Sequence, residues 1–259
     1  RVISLIHKYL RSGVMNKGMF ETSEEGTPQG GPLSPLLSNI MLNELDKELT
    51  RRGLPFVRYA DDSMIFCKSK RAAKRVKESI TRFIVGKLHL KVNRDKTVVS
   101  YVQGVKYLGY SFYVMKGKCQ LTVHAKAKAK MKAKLKELTS RSNGWGYAKR
   151  KQKLEEYIKG WVGYYHLANM KRFLIEMDEW LRRRLRMCIW KSWKRVKTKV
   201  ANLVKCGIDK YQAYLWGNSR LGYWRIAGSY ILSRAITNEK LSMAGYATLM
   251  GAYIEWHPK

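Results

Sequence analysis

Acidic side chains are scarce in this chain of 259 residues: 19 Asp and Glu stand against 52 Lys and Arg, a formal net charge of +33. Such an imbalance repels itself unless a polyanion is bound, and the usual polyanion is nucleic acid. Binding of a ribosome-like or histone-like kind fits the number equally well. Cysteine is scarce too. Cys67, Cys119, Cys188 and Cys206 stand far apart without paired spacing, which argues against a disulfide framework and a zinc site and suits a reducing compartment. The five histidines, His7, His89, His124, His166 and His257, form no metal-ligand pattern. No apolar run approaches spanning length, so a membrane role fits poorly. There is no internal repeat and no low-complexity linker, and the length suffices for one large or two modest domains with real cores.

Against this background of bases, Phe56 to Cys67 places two adjacent acids, Asp61 and Asp62, between two short runs rich in aromatic and β-branched residues. That pattern predicts a hairpin with the acids at its tip, strands at Phe56–Tyr59 and Ser63–Cys67. Neighbouring carboxylates repel, and a hard divalent cation such as Mg²⁺ offsets the repulsion. A solvated Asp-Asp turn is the alternative reading of the dipeptide alone.

The elements around the hairpin follow from periodicity. Val2, Leu5, Ile6, Tyr9 and Leu10 predict an amphipathic helix, expected as the tail of something longer, and residues 14 to 22 a short extended pair. A glycine-bearing loop, Glu25 to Leu33, leads to a helix with Ser34 as cap and Pro35 at its first position; Leu37, Ile40, Met41, Leu45 and Leu49 form its stripe and Gly53 ends it. Ser69 opens a second helix, bearing Ala73, Val76, Ile80, Phe83 and Ile84, which Gly86 closes. Strand-like pieces follow near 88–92, 97–102, 105–113 and 119–123. The fold class is therefore α+β: helices over a small antiparallel sheet, followed by an all-α basic region.

In that basic region Lys126, Lys128, Lys130, Lys132, Lys134 and Lys136 surround a seam of Met131, Leu135 and Leu138. Leu154, Tyr157, Ile158, Trp161, Tyr164 and Tyr165 make a second stripe and Leu174, Met177, Leu181, Leu185 and Cys188 a third, enough for a three-helix core. Arg182, Arg183, Arg184, Arg186, Lys191, Lys194, Arg195, Lys197 and Lys199 lie outside the last seam, with Trp190 and Trp193 among them. Such aromatics either stack on nucleobases or simply pack. Residues 201–259 read as a smaller basic, aromatic-rich helical appendage.

The loop Pro28-Gln29-Gly30-Gly31-Pro32-Leu33-Ser34-Pro35 and the hairpin Tyr59-Ala60-Asp61-Asp62, followed by Leu90 to Thr97 and Val105 to Tyr110, resemble in order and spacing the reverse transcriptases, in particular the maturases encoded by bacterial group II introns. The resemblance covers nearly the whole chain. It implies a palm part at 1–123, a thumb or maturase-specific domain at 124–200 and an appendage at 201–259. It implies RNA-directed DNA synthesis with two Mg²⁺ ions, Asp61 and Asp62 as metal ligands and catalytic groups, and Lys96 near the triphosphate as a proton donor. Pro28, Gln29, Gly30, Gly31 and Tyr59 would then line the template and nucleotide site, and Tyr107, Leu108 and Gly109 the primer grip. Lys126, Lys130, Lys134, Arg182, Arg183, Arg184, Arg186, Lys194 and Arg195 would hold intron RNA.

Its partners would be intron RNA, target DNA, an RNA template with primer, and deoxynucleoside triphosphates, in the bacterial cytoplasm with the nucleoid or a ribonucleoprotein, and it leaves room for a homodimer. One departure matters: the family places a further catalytic aspartate and the fingers upstream, and Glu21, Glu24, Glu25, Glu44, Asp46 and Glu48 lie in loop or helix rather than after an apolar strand. One set of metal ligands is thus missing, and this chain alone is expected to be inactive. Three readings stay open: a polymerase that also assists splicing, a maturase-type binding protein without polymerase chemistry, and a general basic RNA-binding protein that leaves the acidic hairpin unexplained.

Overall fold

Helix α1 (Val2–Arg11) forms where its spacing predicts, with none of its residues buried. The computed structural model describes residues 1–16, 19–21 and 31–258, and its chain divides into two compact units, Arg1–Tyr101 and Val102–Lys259. The extended pair expected at 14–22 is present as β1 (Val14–Asn16) and β2 (Met19–Glu21), antiparallel.

In the first unit, α2 (Ser34–Arg51) and α3 (Lys70–Gly86) pack with a hairpin of β3 (Phe56–Tyr59) and β4 (Asp62–Ile65). Leu45 and Leu49 of α2 meet Ile80 of α3 and Leu88 beyond it, with Phe56, Ile65 and Phe83 packed around them. The apolar stripe of α2 is buried only in its second half; Ile40 and Met41 remain exposed. Leu33, not Ser34, is the residue flanking the start of α2, so Pro35 sits one position deeper than its spacing suggests. Its missing N–H still falls in the first turn, where no intrahelical partner exists. Gly53, at φ +64°, ends the helix as expected. Ser69 caps α3 by accepting from the Ala72 N–H at 3.1 Å. Glu48 joins Arg51 and Arg52, which hold its carboxyl down at about 2, and Arg52 donates onward to Ser79 of α3 at 2.6 Å.

Residues 88–92 and 97–102, expected as strand-like, form no strand, and Val102 begins a 3₁₀ turn instead. A strand exists only where a neighbour completes its ladder, and among the described residues these have none. Lys77 instead anchors the segment by donating to the Thr97 carbonyl at 2.5 Å.

The second unit opens with a short 3₁₀ turn (Val102–Gly104) and an antiparallel sheet in the order β5 (Lys106–Tyr107), β6 (Tyr110–Met115), β7 (Lys118–Val123). Helices α4 (Ala125–Leu138), α5 (Tyr147–Tyr165) and α6 (Lys171–Ser192) follow, and the three predicted seams build one core: Met131, Leu135, Leu154, Ile158, Leu174 and Leu185 are all fully or almost fully buried. Six shorter helices complete the unit: α7 (Val196–Lys205), α8 (Lys210–Gly217), α9 (Tyr223–Ala227), α10 (Tyr230–Ala235), α11 (Asn238–Met243) and α12 (Leu249–Glu255). Within residues 201–259, Leu203, Ile226, Leu232, Leu241 and Leu249 enter the same core as the three long helices. Asp178 of α6 ties the end of the chain in, accepting from the N–H groups of Leu249 and Met250 at 2.8 and 2.9 Å at the start of α12.

Candidate functional site

The β3–β4 hairpin pairs Phe56 with Ile65, Val57 with Met64, Arg58 with Ser63 and Tyr59 with Asp62. Its two-residue loop is Ala60-Asp61, so Asp61 lies in the turn and Asp62 is the first residue of β4, one place earlier than the predicted strand start at Ser63. Ala60 takes the positive φ of 52° that tight hairpin loops demand. Asp61, Asp62 and Tyr59 are all exposed at this tip. Among the described residues no ion pair involves either carboxylate, and no cluster of three or more acids, histidines and cysteines is poised to hold a metal.

Arg58, inside the motif, was not anticipated as a functional residue. Its guanidinium grips Asp46 of α2 with both oxygens, at 2.8 and 2.5 Å, a bidentate fork. It also donates to Asn39 Oδ1 at 2.8 Å and to the Ala60 carbonyl in the turn at 2.9 Å. One half-buried side chain thus fastens the acid-bearing turn to α2. The sequence holds the signal: Arg58 stands three residues before Asp61, and Asp46 is an acid on the helix that precedes the hairpin.

Of the loop residues expected at the template site, Pro28, Gln29 and Gly30 lie outside the described residues. Gly31 lies just before α2, its carbonyl accepting from the Ser34 N–H at 3.2 Å. Lys96 is exposed, in a turn where its own N–H bonds Asn93 Oδ1 at 3.1 Å. It belongs to the same unit as the acids.

Tyr107, Leu108 and Gly109 belong to the second unit, at the β5–β6 turn. Leu108 and Gly109 both have positive φ, 50° and 82°, the geometry of a type I′ loop, which glycine adopts freely and leucine does not. The end of α5 holds the turn: the Tyr164 hydroxyl donates to the Leu108 carbonyl at 3.0 Å, and the Tyr110 hydroxyl donates to the Tyr164 carbonyl at 2.5 Å. A Cβ on Gly109 would collide with the Tyr165 hydroxyl. Gly109→Ala should therefore destabilise the second unit by about 1–3 kcal/mol. In a double-mutant cycle read by denaturant unfolding, Tyr165→Phe should recover part of that loss but not the part due to backbone strain.

Within the arginine run of α6, Arg182 and Arg184 are buried, whereas Arg183 and Arg186 are half-buried. Arg184 is buried: its Nε donates to Thr139 Oγ1 at 2.5 Å, and its NH2 group donates to the carbonyls of Lys136 and Thr139 at 3.0 and 2.9 Å. These are orphan acceptors at the C-terminus of α4, and a guanidinium satisfies them while complementing the helix dipole. Arg182, also buried, bonds Ser242 at 2.9 Å. Arg186 donates to the Ile236 carbonyl and to Asn238; Arg183 donates to the Trp224 carbonyl and lies over the Trp224 ring at 4.2 Å. In this run Arg183, Arg184 and Arg186 take backbone carbonyls as partners. Trp190 is likewise packed inside, edge-on to Trp193. Among the bases that face solvent are Lys126, Lys130, Lys132, Lys134 and Lys136 on α4, Lys191 near the end of α6, and Lys194, Arg195 and Lys197 after it. Among the described residues no helix is long and apolar enough to cross a membrane.

Comparison with known proteins agrees with this order of parts. The family described as reverse transcriptase (RNA-dependent DNA polymerase) matches residues 1–112, and the group II intron maturase-specific domain matches residues 128–207. The Escherichia coli (strain K12) protein YkfC is 32% identical over 145 residues, covering 42% of this chain and 38% of that protein. The group II intron-encoded protein LtrA of Lactococcus lactis subsp. cremoris is 28% identical over 181 residues, covering 45% of this chain and 30% of LtrA. The chain thus spans well under two thirds of either relative. The two matched regions follow one another along the chain, so its residues 1–112 are similar to reverse transcriptases and its residues 128–207 to the maturase-specific domain of group II intron proteins.

Proposed function

We propose that this chain supplies the acid-bearing hairpin of an RNA-directed DNA polymerase together with a helical domain that binds group II intron RNA to assist splicing and retrohoming. The observation that carries the reading is the exposed Asp61–Asp62 tip, braced by Arg58 in the reverse-transcriptase segment and followed in the same chain by a maturase-matched helical unit with lysines on its open face. In this reading residues 1–123 act as a palm part and 124–200 as the thumb, whose core residues 201–259 complete.

Two exposed carboxylates without an ion pair among the described residues are hard oxygen donors of the kind Mg²⁺ takes, and they supply part of its octahedral shell. Bound there, Mg²⁺ would stabilise charge on the transferring phosphoryl group and activate the attacking hydroxyl. The chain's own part is to hold the two carboxylates at a rigid tip, with Arg58 fixing the turn from behind. Tyr59, exposed beside the acids, and Gly31 would border the template and the incoming deoxynucleotide; Lys96 would meet the triphosphate; and the Leu108-Gly109 turn would present backbone to a primer. A second reading, a splicing cofactor without polymerase chemistry, draws on the fact that among the described residues no third metal-ligating side chain joins Asp61 and Asp62.

The RNA-binding half is tested by equilibrium binding of the 259-residue chain to folded group II intron RNA across a salt series. The logarithm of the association constant should fall linearly with the logarithm of salt concentration, because each phosphate contact releases condensed counterions. Absence of binding at about 0.1 M salt, or a slope near zero, would remove the reading.

A further inference from the structure

The helical unit bears an open pocket of about 540 Å³ between α5, the end of α6 and helices α10 and α11, a size typical of ligand pockets. Its wall is chiefly apolar and carries three aromatic rings, Tyr147, Trp193 and Tyr246. Two of the rings are held in place: Trp193 meets Trp190 edge-on at 5.7 Å, and the Tyr147 hydroxyl is hydrogen-bonded to Ser192. Lys151 and Lys240 are the charged residues of the lining, and no acid accompanies them. Lys240 donates to the carbonyls of Cys206 and Ala235 at 2.9 and 3.0 Å, which makes it part of the wall with one N–H to spare. Lys151 Nζ reaches the Ala244 carbonyl only at 3.5 Å, so most of its hydrogen-bonding capacity is unspent.

Pre-set rings beside two ammonium groups with no acid in the lining match a flat π-system that carries a phosphate; Glu155, whose carboxylate acts on Lys151, is itself paired with Lys159 at 2.8 Å. A purely apolar ligand would leave the lysines uncompensated, and an acidic peptide side chain would leave the rings unused. We infer that this pocket takes a nucleobase unstacked from bound RNA, with the phosphate of that nucleotide at Lys151. The inference rests on the RNA-binding reading above and gives it a location. Unstacked bases of single-stranded or looped RNA are the parts that aromatic side chains capture, and the stacking is tolerant of sequence. A free mononucleotide offers the same chemistry, so the test must separate the two sources.

Ala148, exposed in the first turn of α5 at the rim, allows the pocket to be filled from outside. The probe is a single-stranded RNA oligonucleotide containing 2-aminopurine, titrated into the 259-residue chain. Stacking should quench its fluorescence. Ala148→Phe, with thermal unfolding unchanged, should abolish the quench and weaken binding about tenfold. Lys151→Gln should weaken binding a few-fold and lower the salt slope by about 0.7, one phosphate contact on a single strand. Independently of any variant, 4-thiouridine in the same oligonucleotide should photo-crosslink to peptides containing Tyr147 or Trp193. Adenosine monophosphate should compete for the quench only at millimolar concentration, since it lacks the neighbouring phosphates of a chain. Wild-type affinity and quench in Ala148→Phe, crosslinks confined to other peptides, or micromolar capture of adenosine monophosphate would each overturn the inference while RNA binding itself survives. Failure of the unaltered chain to bind RNA would instead end the RNA-binding reading, and this inference with it.

Discussion

On the polymerase reading proposed above, replacing Asp61 and Asp62 together by alanine should reduce Mg²⁺-dependent cDNA synthesis at least about a thousandfold, because metal-type stabilisation of several kcal/mol converts at about 1.4 kcal/mol per tenfold. Intron RNA binding should stay within about twofold of the parent, since the solvent-facing lysines of α4 lie elsewhere in the sequence and two acids contribute no phosphate contact. Primer extension and filter binding on one preparation read both effects. Arg58→Ala should fall between the two: it touches neither carboxylate, yet it unties the Ala60 carbonyl and leaves Asp46 without its bidentate partner. Equal loss of synthesis and RNA binding in the Asp61/Asp62 variant would mean that the acids are structural.

The second large effect is one of stability. Arg184→Ala should destabilise the helical unit by about 3 kcal/mol, because it takes the guanidinium donor from the Lys136 carbonyl, leaves the Thr139 carbonyl with the weak Cys188 thiol donor and leaves the Thr139 hydroxyl with its own bond to the Leu135 carbonyl. For a unit of this size that corresponds to a fall of roughly 6–12 °C in the unfolding midpoint. Measured below that midpoint, RNA affinity should hardly change. Replacing Lys126, Lys130 and Lys134 by glutamine should do the reverse. The Lys134–Glu137 ion pair is exposed and contributes little to stability, whereas each lost phosphate contact should lower the salt slope by about 0.7–0.9. Thermal melts and salt-series binding on the two variants separate the roles. If Arg184→Ala melted like the parent but lost RNA binding, the inward arrangement of the arginine run would be wrong.

That arrangement marks the limit of what the sequence discloses. The three long helices of the second unit were legible because each carries its apolar seam at helical spacing, and all three seams meet in one core. The acidic hairpin was legible from its flanking runs to within one residue, since the pairing of Tyr59 with Asp62 leaves only Ala60 and Asp61 in the loop. Arg182 and Arg184 were not, because a run of bases says nothing about which acceptors face it. Only the folded packing shows that α4 ends against α6 and that its orphan carbonyls need donors. The short helices after Lys205 escaped for another reason: α9, α10 and α11 run five to six residues each, too few for a periodic stripe to register, although Ile226, Leu232 and Leu241 are almost fully buried. Residues 97–101 failed in the opposite sense. Val98, Val99 and Tyr101 have strand-like composition, yet Val98 and Tyr101 are exposed, and composition cannot supply a pairing partner.

Any strongly basic protein binds RNA, so specificity is the most direct test of the account. The decisive measurement is competition at raised salt, about 0.3 M, where screening has weakened the phosphate contacts common to all RNA. Labelled, folded group II intron RNA bound to the chain is challenged with unlabelled intron RNA or with unrelated double-stranded RNA of equal length. Shape and unstacked bases add contacts that salt does not remove, so the account predicts that the unrelated duplex must be present in at least about tenfold excess over the intron to displace the same fraction. Displacement by the duplex at the same concentration as by the intron itself would contradict it.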